Sequence, residues 1–518
     1  MRTGLCIALG LLPSGFAGTG RGGDWPQFRG PGGSATSADP APTEWGPDKN
    51  VAWKVKLPGY GWSCPVVSGD KVFVTTAVSD NQKKPSSGGF GPGGPGGPGG
   101  FPGGPGGFPG GPPGGPGGGG RGGFGRQQAP PNEIYKWQVY CLSAADGKVV
   151  WERTAAERRP ALPKHGSNTY ATETPATDGE RVYAYFGAVG AVVAYDFTGN
   201  LAWKADLGTY QVQFGHGTAS SPAVHAGRVF VLCDNEDKSF LAALDAKSGK
   251  ELWRTPRQER TSWSSPVVWK NSVRTEVVCA GGSKARGYDP ETGKVLWELG
   301  GMAGQCKASP VPAGDLLYVG TGGGPGGMFG RPGGGPPGGG DGPPRGGDVA
   351  PPGGPGGPGG RQGGRSGGGK PLFAVKAGAT GDITLAAKAT SNEGVAWHLP
   401  TAGPAAASPV VYEGYLYVPE ERGGLISCYD AKTGKQEYKE RVPGAKGFTA
   451  SPWAAGGKVY CPDDSGTTFV LKAGPTFEVI GTNKLGEMTW SSPAVGGGAI
   501  FLRTVDHLFC IREPGAGK

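Results

Sequence analysis

The side chains able to do chemistry are few and scattered. His165 and His216 stand in polar segments, but neither has a serine or cysteine nucleophile motif beside it. Ser220-Ser221-Pro222-Ala223 reads as the start of a strand, not a nucleophile elbow, so hydrolysis has no support. Eight cysteines lie beyond Cys6: Cys64, Cys141, Cys233, Cys279, Cys306, Cys428, Cys461 and Cys510. None forms a CxxC pair and none has histidine at zinc spacing, which argues against a structural metal. Disulfides are open to them outside the cytosol; the simpler reading is small core residues in apolar strands. Paired acids at Asp234, Glu236 and Asp237, at Glu420 and Glu421, and at Asp463 and Asp464 could hold calcium. Their spacing matches no calcium loop, and acids are common in turns.

These residues need a scaffold, and the chain supplies one by repetition. Of 518 residues, 105 are glycine and 50 proline. About half of the glycine is concentrated in two tracts, residues 82–133 and 322–369, which lack the apolar side chains to offset ordering entropy and are expected to be disordered insertions. Outside them a small residue followed by proline recurs at Cys64-Pro65, Thr174-Pro175, Ser221-Pro222, Ser265-Pro266, Ser309-Pro310, Ser408-Pro409, Ser451-Pro452 and Ser492-Pro493. Each opens an apolar run. A turn glycine follows in most units, then an alternating strand, a third strand ending in Asp-x-x-Ser/Thr-Gly-Lys, and a fourth ending in Trp, as in Asp245–Trp253 and Asp289–Trp297. Four short strands in each of eight units predict an all-β, eight-bladed β-propeller of antiparallel blades over residues 24–513. The last unit stops after Leu508–Ile511, and its missing fourth strand stands near the start as Asn50–Trp53. Pairing of N- and C-terminal strands would close the ring and protect its edges. Residues 24–53 are then expected to join the last blade or strap across it.

The start, Met1-Arg2 with the apolar run Leu5–Leu12 and Gly15-Phe16-Ala17, reads as a signal peptide over residues 1–17 and predicts export to the periplasm or cell envelope. No 18-residue apolar stretch could span a membrane. The net charge of +9 falls partly on the tracts, and no Lys/Arg run is interleaved with aromatics, so nucleic acid is not an expected partner.

The strand-end pattern Ala-x-Asp-x-x-Thr-Gly-Lys-x-x-Trp, carried by Ala243–Trp253 with Ser for Thr, resembles the tryptophan-docking motif of pyrroloquinoline-quinone (PQQ) repeat propellers. The run Asp24-Trp25-Pro26-Gln27-Phe28-Arg29-Gly30-Pro31 resembles secreted PQQ-like propellers common in planctomycete bacteria. The resemblance covers both quinoprotein alcohol dehydrogenases and the non-enzymatic outer-membrane assembly protein BamB. The dehydrogenases resemble one another in an adjacent Cys-Cys disulfide over the quinone, which this chain lacks. Its compact blades look more like BamB. The resemblance therefore implies a monomeric binding or scaffold module with a cell-envelope protein or small ligand at its funnel face and no cofactor. The alternative is a quinoprotein oxidoreductase acting on an alcohol or sugar with PQQ and calcium. The funnel loops supply the candidate site residues Trp62, His165, Tyr170, His216, Arg260, Trp263, Lys307 and Trp490. They could stack a quinone or sugar on Trp62, Trp263 or Trp490 with Arg260 and Lys307 on its carboxylates, or simply plug the channel.

Overall fold

The computed structural model describes residues 23–86, 129–322 and 369–515. The expected signal peptide, most of the first Gly/Pro tract and nearly all of the second lie outside these residues. Eight antiparallel four-stranded sheets follow one another around a ring. Blades 1 to 8 begin at inner strands Val66–Ser68, Ala176–Thr177, Ala223–His225, Val267–Lys270, Val311–Ala313, Val410–Tyr412, Trp453–Ala455 and Ala494–Gly496. Blade 8 takes its outer strand from the start of the chain: Val51–Lys56 pairs antiparallel with His507–Arg512, Trp53 opposite Cys510. The ring closes as the truncated last repeat predicts.

The repeat residues each have a structural task. In blade 3 the Asp245 carboxylate accepts from the Ser248 N–H and hydroxyl at 2.8 and 2.7 Å, which holds the turn between strands three and four. Gly249 completes that turn at φ +71°, a conformation costly for any residue with a Cβ. The indole of Trp203, from blade 2, lies flat on this glycine and donates to Ala246 O at 2.9 Å. The same dock joins Trp53 to Gly147, Trp151 to Gly199, Trp253 to Gly293 and Trp397 to Gly434. Trp297 departs from it. It donates instead to the buried Glu276, and residues Gly381–Asp382 from blade 5 add a parallel fifth strand to the edge of blade 4.

The small residue before each proline does more than start a strand. The N–H at that position donates to the hydroxyl of its counterpart in the next blade. Seven such bonds of 2.8–3.0 Å run from Cys64 through Thr174, Ser221, Ser265, Ser309, Ser408 and Ser451 to Ser492. At the closing junction, between blades 8 and 1, the corresponding position is held by the buried Cys64 instead of a hydroxyl.

Residues 24–53 do not simply cross the last blade. Gly23–Ser37 enters the central channel and reaches the inner strand of every blade. Trp25 exchanges backbone hydrogen bonds with Val67, and Pro26 O accepts from Thr177. Gln27 reaches Val224, and Pro31–Gly33 packs on the inner strands of blades 4 and 5. Arg29, buried, donates to Gly33 O and Ser408 O at 3.1 Å and to Pro409 O. Thr36–Ser37 pairs parallel with Ala454 and Ala455, and Asp39 accepts from Gly497 N. Trp45 then docks on blade 7, stacked on Tyr460 and bonded to Asn483, before the chain joins blade 8. The described cysteines are all free thiols, and all but Cys233 are fully buried as small core residues.

Candidate functional site

With the first strand innermost, the blade-to-blade connections and the loops between strands two and three share one face, the funnel. The turns between strands one and two, and three and four, share the opposite face, the base. The funnel loops split into three groups.

The first group is aromatic. Trp62 is buried, bonded through Nε1 to Ser167 O at 2.8 Å, and lies 5.8 Å from the half-buried Trp490 of the neighbouring blade. Tyr170, a predicted site residue, is not on the rim. It is 3% exposed, its hydroxyl donates to Leu162 O, and its ring packs edge-on against Tyr135 and Trp137. An apolar ring next to a strand start was drawn into the core.

The second group forms a lip above blades 2 to 4. The rings of His165 and His216 are 5.4 Å apart, and His216 lies 6.0 Å from Trp263. The loop carrying His216 is held by Asn168, which donates to His216 O at 2.8 Å, and by Trp263, whose Nε1 donates to Gly217 O at 2.8 Å. His165 Nδ1 meets the Ser167 hydroxyl at 2.6 Å. Burial, then the positive charges of Lys164 and Lys307, hold the His165 imidazole below the usual histidine range; burial, then His165 and Lys307, do so for His216. Both therefore stand neutral at pH 7. Phe214, which the sequence reading did not single out, projects from this lip. It is 64% exposed, 5.6 Å from His216, and sits at φ +55°. An aromatic residue in that backbone region is a local strain that the surrounding loop must hold. No sequence periodicity marks it.

The third group is charged and largely self-satisfied. Arg260 pairs with Glu236, whose other oxygen accepts from Thr261 N and Oγ1. Lys307 pairs with Glu421 at 3.0 Å, and Glu420 with Lys370 and Lys439 at 3.0 and 3.1 Å. Asp234 is buried in a bidentate pair with Arg257 at 2.7 and 3.0 Å. Asp463 caps its own loop by accepting from Ser465 and Thr467. Asp464 accepts from Thr449 N at 3.0 Å, and burial with the charges of Asp463 and Glu421 pushes its carboxyl up to about 6. The acids considered for calcium are thus committed to cations and loop N–H groups. Among the described residues no three His, Cys, Asp or Glu side chains are grouped to hold a metal ion.

The eight candidate residues are therefore not brought to one point. His165, His216 and Trp263 converge; Trp62 and Trp490 form a separate pair; Arg260 and Lys307 each face an acid; Tyr170 is interior.

Comparison with known proteins fits this architecture. Over 205 residues the chain is 28% identical to a polyvinylalcohol dehydrogenase from Pseudomonas sp., a match covering 31% of this chain and 30% of that protein. The chain thus spans under a third of that relative's length. The quinohemoprotein alcohol dehydrogenase of Comamonas testosteroni superposes over 97% of this chain and 83% of its own, with a TM-score of 0.53 at 12% identity. The quinohemoprotein alcohol dehydrogenase ADHIIG of Pseudomonas putida HK5 does so over 97% and 82%, with a TM-score of 0.50 at 13% identity. At such identities the likeness is one of fold. The profile of the family described as outer membrane protein assembly factor BamB matches residues 188–329 and 379–506, just over half of the sequence. By its repeats, its closed eight-bladed ring and this match, the chain belongs to the BamB family of PQQ-repeat propellers.

Proposed function

We propose that the protein is an exported, non-enzymatic binding propeller of the cell envelope that seats a protein partner on its funnel lip. One observation carries this reading: Phe214 is held exposed, in a strained backbone conformation, beside His216 and Trp263. Exposed aromatic side chains on a fixed loop are the usual anchors of protein interfaces. The ion pairs around the lip, Arg260 with Glu236 and Lys307 with Glu421, would supply a polar rim. The test is cross-linking in an envelope fraction from the host with the intact protein and with Phe214→Ser. A partner captured by the parent and lost by the variant, with the same melting curve, is the expected outcome. Equal capture by both would refute the role of the lip.

A second reading, oxidation of an alcohol with PQQ and calcium, is favoured by the match to a polyvinylalcohol dehydrogenase. The described funnel residues fit that cofactor poorly. Their acids are engaged in ion pairs and loop caps, and no two cysteines are adjacent. Reconstitution with PQQ and calcium is expected to give no dye-linked alcohol oxidation; turnover would establish the second reading instead.

A further inference from the structure

On the base face the strap leaves one side of the channel unfilled. A cavity of about 300 Å³ opens there, between the strap and the ends of the inner strands of blades 2 to 5. That is the lower end of the range of small-molecule pockets. Pro26 and Pro31 of the strap face Val224, Val268 and Pro312 across it, making an apolar slot. Among the described residues no carboxylate lines it.

The polar groups at its edge are unequal. The Thr177 hydroxyl is spent on Arg181 O at 2.6 Å, and that of Ser34 on Pro31 O. Gln27 accepts from Val224 N at 3.4 Å through Oε1. Among the described residues Lys270, exposed at the mouth, forms no ion pair and the half-buried His225 ring no hydrogen bond. The charged groups around His225 are Lys270, Arg228 and Glu291, and Glu291 is already bonded to Arg228. The local field at the mouth is therefore positive and unneutralised.

An apolar slot with an unpaired ammonium at its edge and no acid in its wall is complementary to a compact apolar body ending in a carboxylate. We propose that this cavity is a ligand site for a small organic carboxylate, separate from the funnel. Such a ligand would bridge the strap to four blades and so favour the folded ring.

Benzoate is a suitable probe, with benzamide as its uncharged isostere. Ligand-observed NMR on the full chain should give millimolar binding of benzoate and weaker binding of benzamide. Lys270→Met should weaken benzoate about three- to fivefold, as for an exposed ion pair. Val224→Phe, which fills the slot and leaves Lys270 in place, should abolish binding while the melting curve shows an intact fold. In the parent, benzoate should raise the melting temperature in a concentration-dependent way. Equal binding of the two probes, undiminished binding to Val224→Phe, or no binding to the parent would overturn the proposal. So would a benzoate signal lost in Lys307→Met and kept in Lys270→Met, which would put the anion in the funnel.

Discussion

Blade 3 contains its own control for the docking of tryptophan on glycine. Gly227 and Gly249 both adopt positive φ, +72° and +71°, in its two tight turns. A Cβ at Gly227 would meet nothing within 4 Å, whereas one at Gly249 would lie 2.5 Å from the Trp203 ring. Replacing either by alanine costs about 1–2 kcal/mol for the left-handed backbone, offset by about 0.4–1 kcal/mol from the stiffer unfolded chain. For Gly227→Ala that leaves a net loss of about 1 kcal/mol. Gly249→Ala must also displace the indole, about 1–3 kcal/mol for an overpacked contact. It further strains the 2.9 Å bond from Trp203 to Ala246 O, worth about 1 kcal/mol. With that bond weakened but not lost, the total is about 3 kcal/mol. An unfolding entropy of about 2.1 cal/mol/K per residue, over the roughly 400 described residues, converts 1 kcal/mol into little more than about 1 °C. Calorimetry should therefore find Gly227→Ala about 1 °C below the parent and Gly249→Ala about 4 °C below, with a change in indole fluorescence only in the latter. Equal melting of the two variants would refute the account of the dock as close ring-on-backbone packing.

Three further outcomes follow from features on other blades. Ser265→Ala removes the acceptor of the buried Ser221 N–H and should cost about 1–3 kcal/mol in urea unfolding, whereas Cys64→Ser should change stability by less than about 1 kcal/mol because a hydroxyl already serves at the other seven positions. Asp464 has a folded pKa of about 6, above the unfolded value, so the stability tied to its protonation is complete below about pH 4 and lost as pH rises through 6. Asp464→Asn should accordingly stabilise the fold at pH 7.5 by on the order of 1–2 kcal/mol in urea unfolding, and have no effect at pH 4. Deleting residues 1–56 removes both the channel strap and the outer strand of blade 8; the truncated chain should melt well below the parent or fail to fold, and an unchanged melting curve would contradict the closure.

The ring was legible because its determinants repeat. Ser-Pro, the turn glycine and the docking Trp recur at fixed spacing, and each acts on a neighbouring strand or blade. A missing Trp strand at one end and a spare one at the other were enough to place the closure between Val51–Lys56 and His507–Arg512. The strap was not legible. It has no strand periodicity, and its bonds reach residues hundreds of positions away, as from Arg29 to Ser408. The site was read only in part for a related reason. Loop composition named the aromatic and charged residues of the funnel, but Tyr170 turned inward because its hydroxyl found Leu162 O, and Arg260 and Lys307 were met by acids from neighbouring loops. Phe214 escaped notice because its distinguishing property is a backbone angle, not a residue type in a pattern.

The strap also bears on how the chain can be made. Its partners include Ser408, Ala454 and Gly497, and the outer strand behind it waits for His507–Arg512. The first described residues to be synthesised are thus among the last to complete their contacts. Seven complete blades can form in order as the chain emerges, each from contiguous sequence. The channel segment can meet blades 1 to 5 early, but its bonds to blades 6 to 8 and the pairing of Val51–Lys56 must wait until the final blade has appeared. Such long-range pairing is slow to form, and it makes locking of the ring a single event at the end of synthesis rather than the sum of eight independent ones.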